Sequence, residues 1–478
     1  MKCNILFCIG LIGTIGAIVF AIGAVLYVAL PNIVKSKVKE SLRLVNGSDI
    51  YTKWVESDFP VYMQFYFFNV TNHDTVFTNG NKPILQQLGP YTFREYRKKI
   101  NIQFNNVKDT ITYNQIKWFV YIPSKSNGDL SDKVTTLNVP YTSMAMKRDK
   151  ILSLIQKMAI PLIIKSFNTS IFVTKTVEEL LFKGYKDELM VFFHKTTGEE
   201  FIPNDSFGFF YGQNNTFDGT YTIFSGINYQ DKFMEIYMFN NSTNTNWWNS
   251  EYCNMINGTD GTKFKSHLTK EDTIYSFVSE MCRSVYMTYE KDEITHGITT
   301  YRFNLPYSMM ASADLEPNNK CFCPKDTACL KKGAFFVGAC QNDAPIVATL
   351  PHFYQADESY YEAVIGLNKS KELHESFVDV EPTTGYIVKA RKRGQINLAI
   401  RPLSHFKEFK NVPEMLFPVF WFDENVVWPS DFAESFSDRV FKPQKMYGAW
   451  SQVFIVVGAF VLIFSIIITG AKLILEKK

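Results

Sequence analysis

Six cysteines crowd between Cys253 and Cys340, the densest grouping in the chain of side chains capable of covalent or metal chemistry. Thiols at this density either pair as disulfides or hold zinc as thiolates. Cys321, Cys323, Cys329 and Cys340 lack the paired CxxC knuckles of a regular zinc site, so disulfide chemistry is the expectation. Six cysteines permit fifteen pairings; Cys321 and Cys323 are separated by one residue and bond each other only under strain, which leaves about twelve. A close link such as Cys323 to Cys329 would staple one short loop, whereas links from Cys253 and Cys282 would tie distant segments. Such a framework belongs in an oxidising compartment.

A second modification chemistry points the same way. Asn46, Asn69, Asn168, Asn204, Asn214, Asn240, Asn241, Asn257 and Asn368 each begin N-x-S/T without an intervening proline and are candidate N-glycosylation sites. Together with the cysteines they predict a lumenal or extracellular domain. Cys3 and Cys8 lie apart from the cluster, at the N-terminal edge of an apolar run, and are candidate palmitoylation sites.

Other chemistry is missing. The chain carries no GxSxG elbow, GxGxxG, HExxH, P-loop or EF-hand loop, and its seven histidines show no ligand-like spacing. We therefore expect no enzyme, no cofactor and no metal. Lys389, Arg391, Lys392 and Arg393 resemble a polyanion patch, but they alternate with Ile387, Val388 and Ala390 and read as the solvated face of a strand. A formal net charge of +3, from 50 Lys+Arg against 47 Asp+Glu, also removes the electrostatic footprint of a nucleic-acid binder.

These groups must be held by elements that the sequence announces. Ile5 to Leu30 is apolar and uncharged; as a helix of about 26 residues it would be ~39 Å long, enough to cross a ~30 Å hydrocarbon core with tilt. It also runs beyond the Ala21-Ile22-Gly23 site at which a secretory signal would be cleaved. A second uncharged run from Met446 to Ala471 opens with Tyr447 and Trp450 and closes on Lys472, Lys477 and Lys478. The expected organisation is a cytoplasmic tail (1–4), a span (5–30), an ectodomain (31–446), a second span (447–471) and a cytoplasmic tail (472–478). Gly13, Ala17 and Ala21, four apart, would pack the anchors together or drive homo-oligomers. The second span offers only Ser451, Gln452, Ser465 and Thr469 as polar groups, poor lining for an ion channel.

Within the ectodomain, Ile33, Val34, Val38, Leu42 and Val45 prolong the first helix past the membrane. Val61–Val70, Gly89–Tyr96, Ile111–Ile122, Ile298–Asn304, Tyr386–Arg401 and Met415–Phe422 are aromatic and β-branched runs bounded by turn residues, hence strands. From Pro140 to Phe172 the texture is helical and strongly apolar, interrupted at Pro161. With no internal repeat or interdomain linker, the expectation is one large α+β domain.

Several strings resemble the class B scavenger receptor and lysosomal integral membrane protein family. They are Gly89-Pro-Tyr-Thr-Phe-Arg94, Gly184-Tyr-Lys-Asp-Glu188, Cys253-Asn-Met-Ile-Asn-Gly-Thr-Asp260, Cys282-Arg-Ser-Val-Tyr286, Leu350-Pro-His-Phe-Tyr-Gln-Ala-Asp357, Phe377-Val-Asp-Val-Glu-Pro-Thr-Thr-Gly385 and Arg393-Gly-Gln-Ile-Asn397, in order and nearly end to end. The resemblance implies an antiparallel β-barrel-like ectodomain with an apical helical bundle at 140–172 and an internal apolar tunnel, anchored by the two transmembrane helices. It implies bridges Cys253–Cys321, Cys282–Cys340 and Cys323–Cys329 within the 253–340 region. It places apical ligand-binding side chains at Ile151, Leu154, Met158, Leu162 and Lys165, the lysine as partner for an acidic group.

The function so implied is a receptor that binds lipids or lipoproteins and passes sterol, fatty-acid or phospholipid cargo to the membrane, at the cell surface or in the endolysosome. The competing function is a sorting or adhesion receptor that captures a protein such as a lysosomal hydrolase through the apical helices. The sequence departs from the family in three places: no histidine lies in 140–172, the tail from Lys472 lacks an acidic dileucine signal, and Leu181-Phe-Lys-Gly184 lacks the tryptophan usual before that glycine.

Overall fold

The computed structural model describes residues 5–57, 59–77, 81–148, 163–164, 166–167, 169–198, 202–325, 327–404 and 406–475. They fall into two compact units: one runs up to Arg43, over Ile294–Ile298 and from Pro429 onward, and the other comprises Leu44–Glu293 and Thr299–Trp428.

The first unit is built on two helices, Ile5–Ser41 and Ser430–Leu475, each long and apolar enough to cross a membrane. They pack through small residues. A Cβ on Gly13 would meet Ser465 Oγ, one on Gly16 would meet the Leu462 backbone at 2.8 Å, and one on Gly23 the Ile455 backbone at 2.7 Å. Ser465 Oγ donates to the Ile9 carbonyl at 2.7 Å, closing a polar group that lipid would leave unpaired. The contact therefore follows Gly13, Gly16 and Gly23. Ala21, expected on this face from its four-residue spacing, is exposed, because a helix turning every 3.6 residues drifts off a strict four-residue stripe.

The second unit is dominated by one antiparallel sheet. Its strands, with those of two small two-stranded ribbons, are β1 (Val61–Val70), β2 (Leu85–Asn105), β3 (Thr110–Tyr121), β4 (Lys133–Leu137), β5 (Phe172–Thr176), β6 (Tyr185–Lys186), β7 (Ser206–Phe207), β8 (Thr220–Phe224) and β9 (Ile236–Phe239), followed by β10 (Thr273–Val278), β11 (Arg283–Thr295), β12 (Ile298–Asn304), β13 (Ala334–Phe336), β14 (Ile346–Thr349), β15 (Phe377–Val380), β16 (Ile387–Ile400) and β17 (Met415–Val427). The main sheet runs β10-β11-β12-β15-β16-β17-β1-β2-β3-β8-β9, with β13 and β14 added on β16. The chain's last strand thus pairs with its first, Phe65 opposite Phe422 and Tyr66 opposite Trp421.

The two ends of this order, β9 and β10, are joined by one extended segment. Ile236 N–H donates to the Gly258 carbonyl (2.8 Å), Thr259 N–H to that of Tyr275 (3.1 Å), and Phe277 N–H back to that of Thr259 (3.0 Å). The barrel-like sheet is nearly closed, and this segment covers part of the β9 and β10 edges that would otherwise invite pairing. Gly258 makes the seam possible: its φ is +83°, and a Cβ there would overlap the Tyr275 carbonyl. Gly258→Ala is expected to cost about 2 kcal/mol or more. Hydrogen exchange should show the Thr259 and Phe277 amides opening early while those of β1 and β17 keep their protection.

Alternation on β1 sends Met63, Phe65 and Phe67 inward, and β17 buries Met415–Trp421 without interruption. These side chains, with those of β2, β14, β16 and helix Val139–Arg148, make the main core. Burying one such phenylalanine is worth about 1.5–3 kcal/mol, so the closed sheet is stabilised chiefly from within.

The cysteines leave no thiolate for zinc. Cys253–Cys321, Cys282–Cys340 and Cys323–Cys329 are bonded. Cys3 lies outside the described residues; Cys8, on the N-terminal helix, is disulfide-bonded, so palmitoylation there requires its thiol to be freed.

Candidate functional site

Aromatic side chains gather at one place in the barrel interior. A single π-helical turn, Glu179–Lys183, buries Leu180 and Leu181 and turns Phe182 toward the sheet. The following loop returns against it: Phe209 N–H donates to the Leu180 carbonyl (2.8 Å) and Phe210 N–H to that of Leu181 (2.9 Å). Gly208 allows this approach, because a Cβ there would sit 2.9 Å from the Leu181 carbonyl. The pairing delivers three phenylalanines to the inner face of the sheet. Phe210 lies edge-on to Phe65 with centroids 5.1 Å apart, Phe182 is 5.0 Å from Phe93, and Phe209 is 4.5 Å from Phe420.

This cluster reaches the surface. Phe182 and Phe210 also meet Phe119 of β3, at 5.1 and 6.0 Å. Phe119 lines an open groove of about 400 Å³ with Ile116, Trp118, Asn214 and Asn215. Phe119, Phe182, Phe209 and Phe210 are only partly buried, whereas Phe65 is wholly so. Contacting aromatic side chains therefore run from the open groove into the core. Among the described residues no group of three or more His, Cys, Asp or Glu could hold a metal ion.

The basic run on β16 is not a free polyanion patch. Arg393 Nε and Arg391 Nη1 both contact Asp423 Oδ2, at 3.0 and 2.9 Å, and Lys392 lies 3.4 Å from Glu424. The register places Arg393 opposite Asp423 and Lys392 opposite Glu424 on β17. Burial opposes ionisation of Glu424, but Lys392, Arg97 and Lys117 around it win and hold its carboxyl down to about 2. Two carboxylates of β17 thus partner three of the four basic groups, and the run is partly neutralised across one strand pair.

The apical side chains Ile151, Leu154, Met158, Leu162 and Lys165 lie outside the described residues, as does Asn168. The helix leading to them, Val139–Arg148, buries Tyr141, Met144 and Ala145 in the main core, with Tyr141 5.4 Å from Phe409. Six sequon asparagines are exposed: Asn46, Asn204, Asn214, Asn240, Asn241 and Asn368. Asn69 and Asn257 are half-buried, and Asn69 Oδ1 accepts from Thr135 N–H at 2.8 Å.

The sequence matches the family model described as CD36 family over residues 14–469. The chain belongs to the CD36 family. Among its relatives is rat "Lysosome membrane protein 2", 38% identical over 87% of this chain and 85% of that protein; the human protein of the same name gives the same identity and coverage. Rat "Scavenger receptor class B member 1" is 32% identical over 95% of this chain and 88% of its own length.

In this CD36-family chain two histidines outside the 140–172 segment matter electrostatically. His352 and His374 stack in the core with centroids 4.3 Å apart and planes 6° apart. Asn368 N–H donates to His352 Nδ1 (2.9 Å), so Nε2 carries the proton and donates to Gln87 Oε1 (2.7 Å), which also accepts from Trp421 Nε1 (2.8 Å). His374 Nδ1 accepts from Ser370 N–H at 3.1 Å. Burial, then the neighbouring His374, pushes His352 down to about 3; burial, then Arg393, pushes His374 down to about 4. Their isolated occurrence in sequence carries no sign of this pairing.

The pair is expected to make the stability of this CD36-family chain acid-sensitive. An unfolded histidine titrates near 6.5, so above that pH both states are neutral and the full stability is present. As pH falls from 6.5 toward 4, the unfolded chain takes up protons that the folded core refuses, and stability drops by on the order of 1–2 kcal/mol per histidine at pH 5. His374→Phe should flatten the dependence of the urea midpoint on pH between 6.5 and 5 by about one proton. An unchanged slope would remove His374 from the acid response.

Proposed function

We propose that this protein is a membrane receptor, without catalytic activity, that binds lipids or lipoproteins and passes sterol, fatty-acid or phospholipid cargo through its ectodomain to the bilayer. The observation that carries the proposal is the unbroken run of aromatic surface from the Trp118–Phe119 groove through Phe182 and Phe210 to the buried Phe65. Relatives named as a scavenger receptor and a lysosome membrane protein support a receptor at the plasma membrane or the endolysosomal membrane. Two terminal helices anchor it, with a lumenal or extracellular ectodomain glycosylated at the exposed sequons. Moving an alkyl chain from water onto such a surface gains about 25 cal/mol per Å², and no bond need be made or broken.

A photoreactive sterol or fatty acid added to full-length protein in lipid nanodiscs tests this proposal. Peptides carrying Phe119, Phe182 and Phe210 should be labelled, and unlabelled lipid should compete. Label confined to the two terminal helices would sink cargo entry by this route. It would favour the sorting receptor, with the apical helices at 140–172 capturing a protein such as a lysosomal hydrolase.

A further inference from the structure

Arg283 opens β11 immediately after Cys282, whose disulfide to Cys340 and left-handed backbone (φ 56°) turn the following side chain inward. Its side chain is deeply buried, the residue retaining only 6% of its accessible surface. Several buried or half-buried arginines of the sheet have carboxylate partners: Arg97 has Glu95 and Glu424, Arg302 has Asp379, and Arg391 and Arg393 share Asp423. Arg283 has none among the described residues. Its guanidinium stacks 3.4 Å from the Phe322 ring centroid and lies 5.6 Å from that of Phe335. Nη2 reaches only Met309 Sδ at 3.8 Å, and Nε has no hydrogen-bond partner.

The arginine lines a small, partly open cavity of about 30 Å³, shared with Met309, Ala311, Asn319, Phe322 and Phe335. A space of that size suits one or two water-sized bodies. Burial draws Arg283 down to about 9, with Tyr252 and Tyr286 acting in the opposite direction, so the side chain remains cationic at neutral and acidic pH. Burying a charge without a counter-charge is among the most expensive arrangements in a protein interior. Water can satisfy the Nε donor; only an anion can neutralise the charge.

We propose that the cavity beside Arg283 is a binding site for one monatomic anion, chloride, which acts as the missing counter-ion and ties β11 to the disulfide-bonded segment around Phe322. The anion sits against Nε in the plane of the guanidinium. It is structural, and is independent of lipid handling. Because it binds the folded state and not the unfolded one, chloride stabilises the protein saturably.

The test uses full-length protein in detergent, melted in sodium chloride and in sodium gluconate at equal ionic strength. Chloride is expected to raise Tm by about 2–4 °C along a single-site curve, with bromide substituting for it. Arg283→Met should abolish the halide dependence and Arg283→Lys retain part of it. If the methionine variant fails to fold, crystals of the unaltered protein grown in bromide decide the matter. An anomalous peak within hydrogen-bonding distance of Nε supports the site. Equal melting in both salts, or density in the cavity without anomalous signal, overturns it in favour of a water molecule.

Discussion

Arg302→Met is expected to destabilise the ectodomain by about 3–5 kcal/mol, the usual cost of removing one partner from a buried ion pair. Arg302 on β12 faces Asp379 on β15 in register, and the contact is bidentate: Nε to Oδ1 and Nη2 to Oδ2, both 2.7 Å. Asp379 is wholly buried. The guanidinium lies 3.7 Å from the Phe377 ring centroid, and its Nη1 is 3.4 Å from Glu293. Methionine fills much of the volume but leaves the carboxylate with neither a counter-charge nor two of its donors. The large effect therefore comes from stranding Asp379 more than from losing the attraction itself. The double variant Arg302→Met with Asp379→Leu should recover most of the loss in equilibrium urea unfolding. By contrast, Lys37→Ala breaks a contact with Glu40 whose side chains are 75% and 54% exposed, and should change stability by less than about 0.5 kcal/mol.

Replacing Cys282 and Cys340 together by serine is expected to cost about 4 kcal/mol, from loop closure alone across a separation of 58 residues. Removing Cys323–Cys329, separated by only 6 residues, should cost about 2 kcal/mol on the same account. Local packing sharpens the difference. Cys282 is fully buried, its carbonyl accepts from Trp248 Nε1 at 2.6 Å, and Trp248 stands edge-on to Phe322 with centroids 5.1 Å apart. Loosening Cys282 also frees Arg283 beside it. Urea midpoints of the two double-serine variants, measured on oxidised protein, should rank in this order; equal losses would show that closure entropy does not set the contribution of the longer link.

The regular elements were legible because their signals are local. The run Val61–Val70 is β1 residue for residue, Ile298–Asn304 is β12, and Tyr386–Arg401 overruns β16 by one residue at each end. The first helix continues to Ser41, as the spacing of Ile33, Val34 and Val38 indicates. Alternation and helical periodicity are properties of neighbouring residues, which sequence displays directly. Glycine was less transparent. Gly258 occurs within a family string, yet nothing in its neighbours says that its carbonyl accepts from β9 while the next residue pairs with β10.

The chain by itself determined two apolar helices, an antiparallel sheet, the cysteine-rich region and a crowd of aromatic residues with no catalytic motif among them. Only tertiary structure decided which charges are neutralised, which histidines stay neutral and which phenylalanines meet. Arg393 finds Asp423 30 residues away, His352 finds Gln87 265 residues away, and Phe210 finds Phe65 on the first strand of the sheet. Burial and pairing are set by closure of the sheet, a non-local event that brings β17 beside β1. The same basic tetrad that reads as a surface patch in one dimension is partly neutralised in three, and Arg283, which reads as one arginine of many, is deeply buried with no carboxylate beside it among the described residues.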